Sequence, residues 1–269
     1  MIASLLVATS VSAAPVPAAP AAHALIAGAS HAVHAKRLDQ AAVMISRAIA
    51  AGASGTELDR LLADFAYASG KYSEALVRYE ALLKVAPKDQ SLFEPAGISA
   101  LKLGQVERAA SWLSQATAQS RASWRSWNAA GVVADMKRDW ARADDCYDHA
   151  SRLAPNQAAP VNNRGWSLLL RGDWKDALGL FERAIALDPR SARTADNLEL
   201  ARAALAAGLP ARNPRESDSS WAARLNDAGV AAAILGDKNR ASAAFSQALN
   251  VSGTWYARAA NNLEALGGR

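Results

Sequence analysis

The feature that most constrains the fold is a set of residue types that recur every 34 positions. Pro155 lies two such intervals after Pro87, and Pro189 lies one interval after Pro155. In the same frame, alanine fills one column: Ala41, Ala75, Ala109, Ala143, Ala177 and Ala241. A bulky column lies four residues further on: Ile45, Tyr79, Leu113, Tyr147, Phe181 and Phe245. A fixed period of this length indicates a stack of similar units, each packed on its neighbours.

The spacing within each unit predicts two helices joined by a turn. Three positions share one helix face, because the bulky column is followed three residues later by Ala48, Leu82, Ala116, Ala150, Ala184 and Ala248. An upstream column of small residues lets a preceding helix approach closely: Ala29, Ala63, Gly97, Gly131, Gly165 and Gly229. A turn with positive φ is expected at Gly70, Gly104, Gly172 and Gly236. The prolines then close the second helix, because proline has no N–H to continue it.

These columns resemble the signature of the tetratricopeptide repeat (TPR), which runs W-x2-L-G-x2-Y, then A-x3-F-x2-A, then P. The resemblance implies an all-α fold, a right-handed α-solenoid of helix-turn-helix repeats. Repeats begin at Ala22, Thr56, Gln90, Trp124, Ala158 and Ala222.

We expect three segments after the N-terminal one. Residues 22–207 form about five repeats plus a capping helix, residues 208–220 a hinge loop, and residues 221–269 a final repeat plus a capping helix. The caps are expected because Glu199 and Glu264 stand where a small packing residue belongs.

Composition argues against several classes of protein. The net charge is +5, but basic and acidic residues alternate along the helices, which is typical of a solvated surface and not of a nucleic-acid binder. Cys146 is the only cysteine, so no intramolecular disulfide can form. We interpret it as a part-buried free thiol, because it lies next to Tyr147 on the second helix of a repeat.

The amino terminus differs from the rest of the chain. Residues 1–35 contain no Asp, Glu, Lys or Arg, and the apolar run Ile2 to Val11 is followed by small residues and a Pro/Ala stretch. We predict a signal-like segment at residues 1–21, which is too short to span a membrane. The expected location is the periplasm, or the cytoplasm if this segment is not a signal peptide.

No catalytic motif is present. The sequence lacks G-x-S-x-G, a Walker A loop and H-E-x-x-H, so we predict that the chain is not an enzyme and needs no cofactor. His23, His31 and His34 are close in sequence and form the one candidate metal site. We favour the alternative that they are polar positions on a terminal helix.

The family resemblance places ligand contacts in a groove formed by the first helices. The expected peptide-binding residues are Arg60, Asp64, Tyr67, Arg125, Asn128, Asn162, Asn163, Trp166, Arg193 and Asp196. Asparagine recurs on this face: Asn128, Asn162, Asn163, Asn197, Asn226, Asn261 and Asn262. Two interpretations stay open. The amides hold the backbone of an extended peptide, or they only satisfy a helix start or a neighbouring helix.

One well-known ligand class is disfavoured. The chaperone-binding repeats hold two carboxylates with Lys, Asn and Arg, whereas the corresponding positions here are Ile26, Ser30, Ser91 and Pro95.

A narrower resemblance covers residues 56–208. The segments NNRGWSLLLRGDWKDALGLFERAIALDP and ARTADNLELARAALAAG are similar to the TPR proteins of tight-adherence (Tad, or Flp) pilus assembly. Those are typically bacterial outer-membrane lipoproteins, but no cysteine follows the apolar run here. This resemblance implies a non-enzymatic scaffold for protein–protein interaction in the cell envelope. The alternative is a regulatory or recruiting subunit of an envelope enzyme complex that makes peptidoglycan or polysaccharide.

Overall fold

The computed structural model describes residues 19–205, 208–251 and 256–267, and every regular element in these ranges is a helix. The all-α prediction is confirmed. The chain divides into two compact units, residues 1–112 and 113–269. Most of the predicted signal-like segment, residues 1–18, lies outside the described residues.

The first unit contains two complete helix pairs and part of a third. Its helices are α1 (Ala19–His34), α2 (Leu38–Ala50), α3 (Thr56–Ala68), α4 (Tyr72–Val85), α5 (Phe93–Lys102) and the start of α6 (Val106–Thr117), which ends in the second unit. Helix α1 packs on α2 and α3, and α4 packs on α3 and α5. Pro95 is the third residue of α5, where a missing N–H costs nothing because the first turn has no intrahelical acceptor.

The second unit contains three further pairs and two helices without a partner of their own. Its helices are α7 (Trp124–Met136), α8 (Trp140–Leu153), α9 (Ala158–Arg171), α10 (Trp174–Leu187), α11 (Ala192–Leu205), α12 (Asp218–Ile234), α13 (Lys238–Val251) and α14 (Ala257–Gly267). Helix α7 contacts α9, and α9 contacts α11; α7 and α9 are the first helices of their repeats. Helix α8 packs against both α7 and α9, and α10 packs against both α9 and α11. The face of α7, α9 and α11 therefore belongs to one unit.

The columns predicted to be buried form the core. All six residues of the alanine column are fully buried, and no residue of the bulky column is more than 6% exposed. Three glycines of the upstream column, Gly131, Gly165 and Gly229, are required by close packing. A Cβ atom on Gly131 would lie 2.6 Å from the Tyr147 ring, and one on Gly229 would lie 2.5 Å from the Phe245 ring.

The turn between paired helices is left-handed at every position of the turn column. Four of these positions are glycine, and the other two are Lys36 with φ 57° and Arg138 with φ 58°. Glycine adopts this backbone without strain, whereas a side chain bearing Cβ does not. The repeat therefore imposes the turn even where the sequence supplies no glycine.

Helix α11 is packed on two sides, whereas the sequence predicted a solvated cap. It contacts α10 and α12, and its residues Leu198, Leu200 and Ala201 share one buried cluster with Ala231 of α12. Glu199 is exposed, as expected for a capping helix, but other residues of α11 are buried.

Helix α12 begins at Asp218, earlier than the predicted start at residue 221. Ser217 caps it, since the side-chain oxygen accepts a hydrogen bond from the Ser220 N–H at 3.2 Å. The preceding residues 208–217 contain no helix. Trp221 fastens this loop by donating from its indole N–H to the Pro210 carbonyl at 3.1 Å.

Candidate peptide-binding face

Four asparagine side chains form a continuous hydrogen-bonded chain across α7, α9 and α11. Asn197 donates from Nδ2 to Oδ1 of Asn162 at 3.0 Å, and Asn163 donates from Nδ2 to Oδ1 of Asn128 at 3.0 Å. Within α9, Nδ2 of Asn162 lies 3.4 Å from Oδ1 of Asn163 and completes the chain. We call these four residues the amide chain.

The amide chain has a direction. Asn162 is only 5% exposed, and it both accepts and donates within the chain. Asn128, at one end, uses its oxygen and keeps two N–H donors, while Asn197, at the other end, uses one N–H and keeps its oxygen, among the hydrogen bonds of the described residues. The asparagines thus bond neighbouring helices, and they also present a donor end on α7 and an acceptor end on α11.

Exposed apolar side chains continue the same face towards the carboxyl ends of α7 and α9. Trp166 and Leu170 on α9 are 36% and 41% exposed, and Met136 on α7 is 51% exposed. Trp166 and Leu170 are four residues apart, so they share one side of the helix. Sequence reasoning found Trp166 but missed Met136 and Leu170, although both stand at the same position of the 34-residue frame. We call these three residues the apolar strip.

The remaining predicted site residues of this unit lie at the helix starts. Arg125 is exposed near the start of α7, and its guanidinium carbon is 4.7 Å from the centre of the Trp124 ring. Arg193 and Asp196 are exposed on the first turns of α11. The amide chain therefore lies between charged helix starts and the apolar strip.

The three predicted residues of the first unit are engaged with one another and with neighbours. Arg60 donates to Asp89 at 2.9 Å, and Asp64 accepts from the Tyr79 hydroxyl at 2.7 Å. Tyr67 makes an edge contact with the Tyr79 ring, whose centre is 6.3 Å away. These contacts stabilise α3 against α4 and the following turn, so we centre the candidate site on the second unit.

A buried carboxylate lies beneath the face. Asp135 on α7 accepts from the Tyr147 hydroxyl at 2.7 Å and from the Ser167 hydroxyl at 2.5 Å. Burial raises the pKa of Asp135, although both donated hydrogen bonds act in the opposite direction. This trio joins α7, α8 and α9 and helps to fix their spacing.

The thiol of Cys146 is part of the packed core. Cys146 is fully buried, and burial raises the pKa of the Cys146 thiol to about 11. His149 is exposed and stacks on Trp127 with ring centres 4.3 Å apart. A protonated, enclosed thiol is a poor nucleophile.

The clustered histidines make separate contacts. His23 Nδ1 lies 3.1 Å from a Glu57 oxygen, and His34 Nδ1 bonds the Ser30 carbonyl at 2.8 Å. Within the described ranges, no three His, Cys, Asp or Glu side chains are grouped to hold a metal ion. None of the helices described has both the length and the apolar character of a membrane span.

Comparison with known proteins agrees with this architecture. Residues 158–191, which hold α9 and α10, match the family model of the tetratricopeptide repeat. No curated protein sequence matches the chain. The match identifies residues 158–191 as a tetratricopeptide repeat, and the other helix pairs of the described residues keep the same buried columns and left-handed turns.

Several solved structures share the fold at low identity. A tetratricopeptide repeat protein from Parabacteroides merdae is 15% identical with a TM-score of 0.56, and 92% of this chain and 99% of that chain are covered. PilW, a widely conserved type IV pilus biogenesis factor, is 12% identical with a TM-score of 0.55, covering 93% and 99% of the two chains. A structure of MamA (MSR-1) is 21% identical with a TM-score of 0.51, covering 64% and 98%. At these identities the likeness concerns the fold alone.

Proposed function

We propose that the chain is a non-enzymatic scaffold that binds an extended segment of a partner protein on the face of α7, α9 and α11. The observation that carries this proposal is the position of the amide chain directly beside the apolar strip. A surface with both hydrogen-bonding ends and exposed apolar side chains suits a peptide ligand.

The two parts of the face have different roles in binding. The N–H donors of Asn128 and the oxygen of Asn197 bond backbone groups of the ligand, which every peptide possesses regardless of its sequence. The apolar strip selects the side chain, because burying one large apolar residue contributes about 1.5–3 kcal/mol. Affinity therefore depends on Trp166 and Leu170 more than on the amide ends.

The proposed setting is the bacterial cell envelope, with Tad/Flp pilus assembly as the process served. Two observations support it: the charge-free apolar amino terminus, and the resemblance of residues 56–208 to proteins of that assembly. The alternative setting is an envelope enzyme complex that the chain regulates or recruits. The nature of the captured partner distinguishes them, since pilin, secretin or secretion ATPase supports the first, and a transferase or hydrolase the second.

A comparative pull-down tests the binding face. The parent chain and a Trp166→Ala, Leu170→Ala variant are immobilised and exposed to envelope extract, and retained proteins are identified by mass spectrometry. Leu153→Ala is the matched control, because Leu153 is 55% exposed on the second helix α8. We expect the parent and the control to retain a partner that the double variant loses. Equal retention by all three chains would contradict binding at this face.

A further inference from the structure

The donor end of the amide chain lies beside a cation. Arg125 and Asn128 are three residues apart on α7, so their side chains are neighbours on one helix face. The Asn128 oxygen is occupied by Asn163, which leaves its N–H groups pointing away from that bond. We propose, resting on the function proposed above, that the bound segment carries a carboxylate that Arg125 and Asn128 recognise, followed within a few residues by an apolar side chain on the apolar strip.

The surroundings of Arg125 favour binding of an anion. It is exposed, and it forms no ion pair with any residue that the structure describes, while the Trp124 ring supports its guanidinium. The start of a helix carries partial positive charge, which adds to the attraction for an anion. A guanidinium binds a carboxylate with two parallel hydrogen bonds, and the amide of Asn128 can supply a third.

The neighbouring residues of the face on α9 do not compete for the carboxylate. Asn163, Trp166 and Leu170 on α9 are uncharged. Asp135 is the acidic residue on this part of α7, but it is buried and bonded to two hydroxyls. Arg125 thus stands beside neutral groups of α7 and α9, which matches a ligand with a single carboxylate rather than a strongly acidic segment.

The dimensions of α7 limit the spacing of the two ligand groups. Arg125 and Met136 are 11 residues apart on the helix, which is about 16 Å at about 1.5 Å per residue. An extended peptide spans about 3.3 Å per residue, so the acidic and apolar ligand residues lie at most about five positions apart.

The equivalent position on α11 supplies a matched control. Arg193 stands two repeat lengths after Arg125, but Asp196 follows it one turn later, where α7 has Asn128. The acidic side chain offsets the charge of Arg193, and the nearby Asn197 presents an acceptor. The same residue type therefore serves as an anion site on α7 only.

The test uses peptides as probes. A phage-displayed library of random dodecapeptides is selected on the full chain, and one enriched peptide is synthesised together with its analogue in which the acid is replaced by the amide. Both peptides are titrated by fluorescence anisotropy against the parent, Arg125→Gln, Arg193→Gln and Trp166→Ala. All four chains are first compared by circular dichroism, and these exposed substitutions should leave the spectrum unchanged.

We expect enriched peptides to contain Asp or Glu within about five positions of a large apolar residue. Replacing the acid should weaken binding to the parent and to Arg193→Gln about tenfold or more, but leave binding to Arg125→Gln nearly unchanged. Enriched peptides without an acid, or an equal loss in all chains, would overturn the carboxylate inference alone, provided that Trp166→Ala still abolishes binding. Peptides that bind Trp166→Ala as well as the parent, or a selection that enriches none, would overturn both this inference and the proposed function.

Discussion

The Nδ2 atom of Asn163 on α9 lies 3.0 Å from the Oδ1 atom of Asn128 on α7, across the junction of two repeats. Asn197 and Asn162 repeat this arrangement at the next junction with the same distance. Each bond joins residues 35 positions apart, so it links the fifth residue of one repeat to the sixth residue of the next. The amides thereby fix the register of successive first helices.

Asn162→Ala should lower the free energy of unfolding by about 1–3 kcal/mol, because the substitution leaves partly buried amide groups of Asn163 and Asn197 without their partner. Urea denaturation monitored by circular dichroism measures the change. Asn261→Ala is the control, since Asn261 is exposed on α14 and should tolerate alanine within about 0.5 kcal/mol. Equal midpoints for both variants would show that the amide chain adds no stability.

Gly131→Ala should destabilise the chain by about 1–3 kcal/mol through overpacking, because the new Cβ would lie 2.6 Å from the Tyr147 ring. Gly179→Ala is a matched control within α10, where the added Cβ meets nothing within 4 Å. That control should raise stability by about 0.5–1 kcal/mol, since alanine favours helix over glycine. Thermal melts of the two variants should therefore shift in opposite directions, and shifts in the same direction would refute the packing argument.

Arg138→Gly should stabilise the chain by about 1 kcal/mol, because glycine removes the strain of a side chain at φ 58°. Arg138→Ala removes the same charge and keeps Cβ, so it isolates the backbone effect from the loss of arginine. The free energies of unfolding of both variants, measured in urea, decide the question. The strain argument fails if alanine stabilises as much as glycine.

Asp135 should make stability depend on pH. Burial raises the pKa of Asp135, so the folded chain holds its proton more tightly than the unfolded chain does. Its contribution to stability is therefore fully present below the ordinary carboxyl pKa of 3.8 and is lost as pH rises through the raised folded-state value. Asp135→Asn stays neutral, so its stability relative to the parent should increase as the pH rises above the ordinary carboxyl pKa of 3.8. Parallel stability–pH curves for the two chains would contradict this.

Limited trypsin digestion should cut first after Arg215, in the loop between α11 and α12. Arg215 is exposed, whereas Arg212 pairs with Asp218 and lies 5.3 Å from the Trp221 ring centre. Arg215→Gln should slow the first cleavage severalfold. Two hydrogen bonds at 2.8 and 2.9 Å hold Arg171 to Asp144, so we expect trypsin to cut there later. Early cleavage after Arg171 would show that the loop between α11 and α12 is no more accessible than this turn, and would argue against a hinge.

Much of the fold could be predicted because the 34-residue columns report packing that every repeat shares. The sequence located the paired helices, the buried bulky column and the glycines that allow close approach. It did not predict positive φ at Lys36 and Arg138, since the repeat frame and not the local residue sets that turn. It also missed the second packed side of α11, because α12 approaches through a long loop outside the 34-residue spacing.

The site was harder to predict than the fold. Recurrent asparagine drew attention to this face, but sequence does not show which amide donates to which, and that order leaves Asn128 its N–H groups. The contrast between Arg125 and Arg193 likewise depends on the residue that lies one turn later on each helix, Asn128 or Asp196. Arg60 and Asp64 were predicted as ligand contacts, but their partners Asp89 and Tyr79 come from elements that only the folded chain brings near.

The direction of the amide chain also shows which repeat can be copied. Asn128 only receives a bond from the next repeat and Asn197 only gives one, but α9 carries both functions in Asn162 and Asn163. The segment 158–191 is thus a propagating unit, flanked by two terminating ones. A tandem duplication of it would place a new fifth-position acceptor opposite a new sixth-position donor, so the ladder would lengthen by one rung without a change of chemistry. The length of the binding face is therefore set by the number of such repeats, and it changes by one whole repeat at a time.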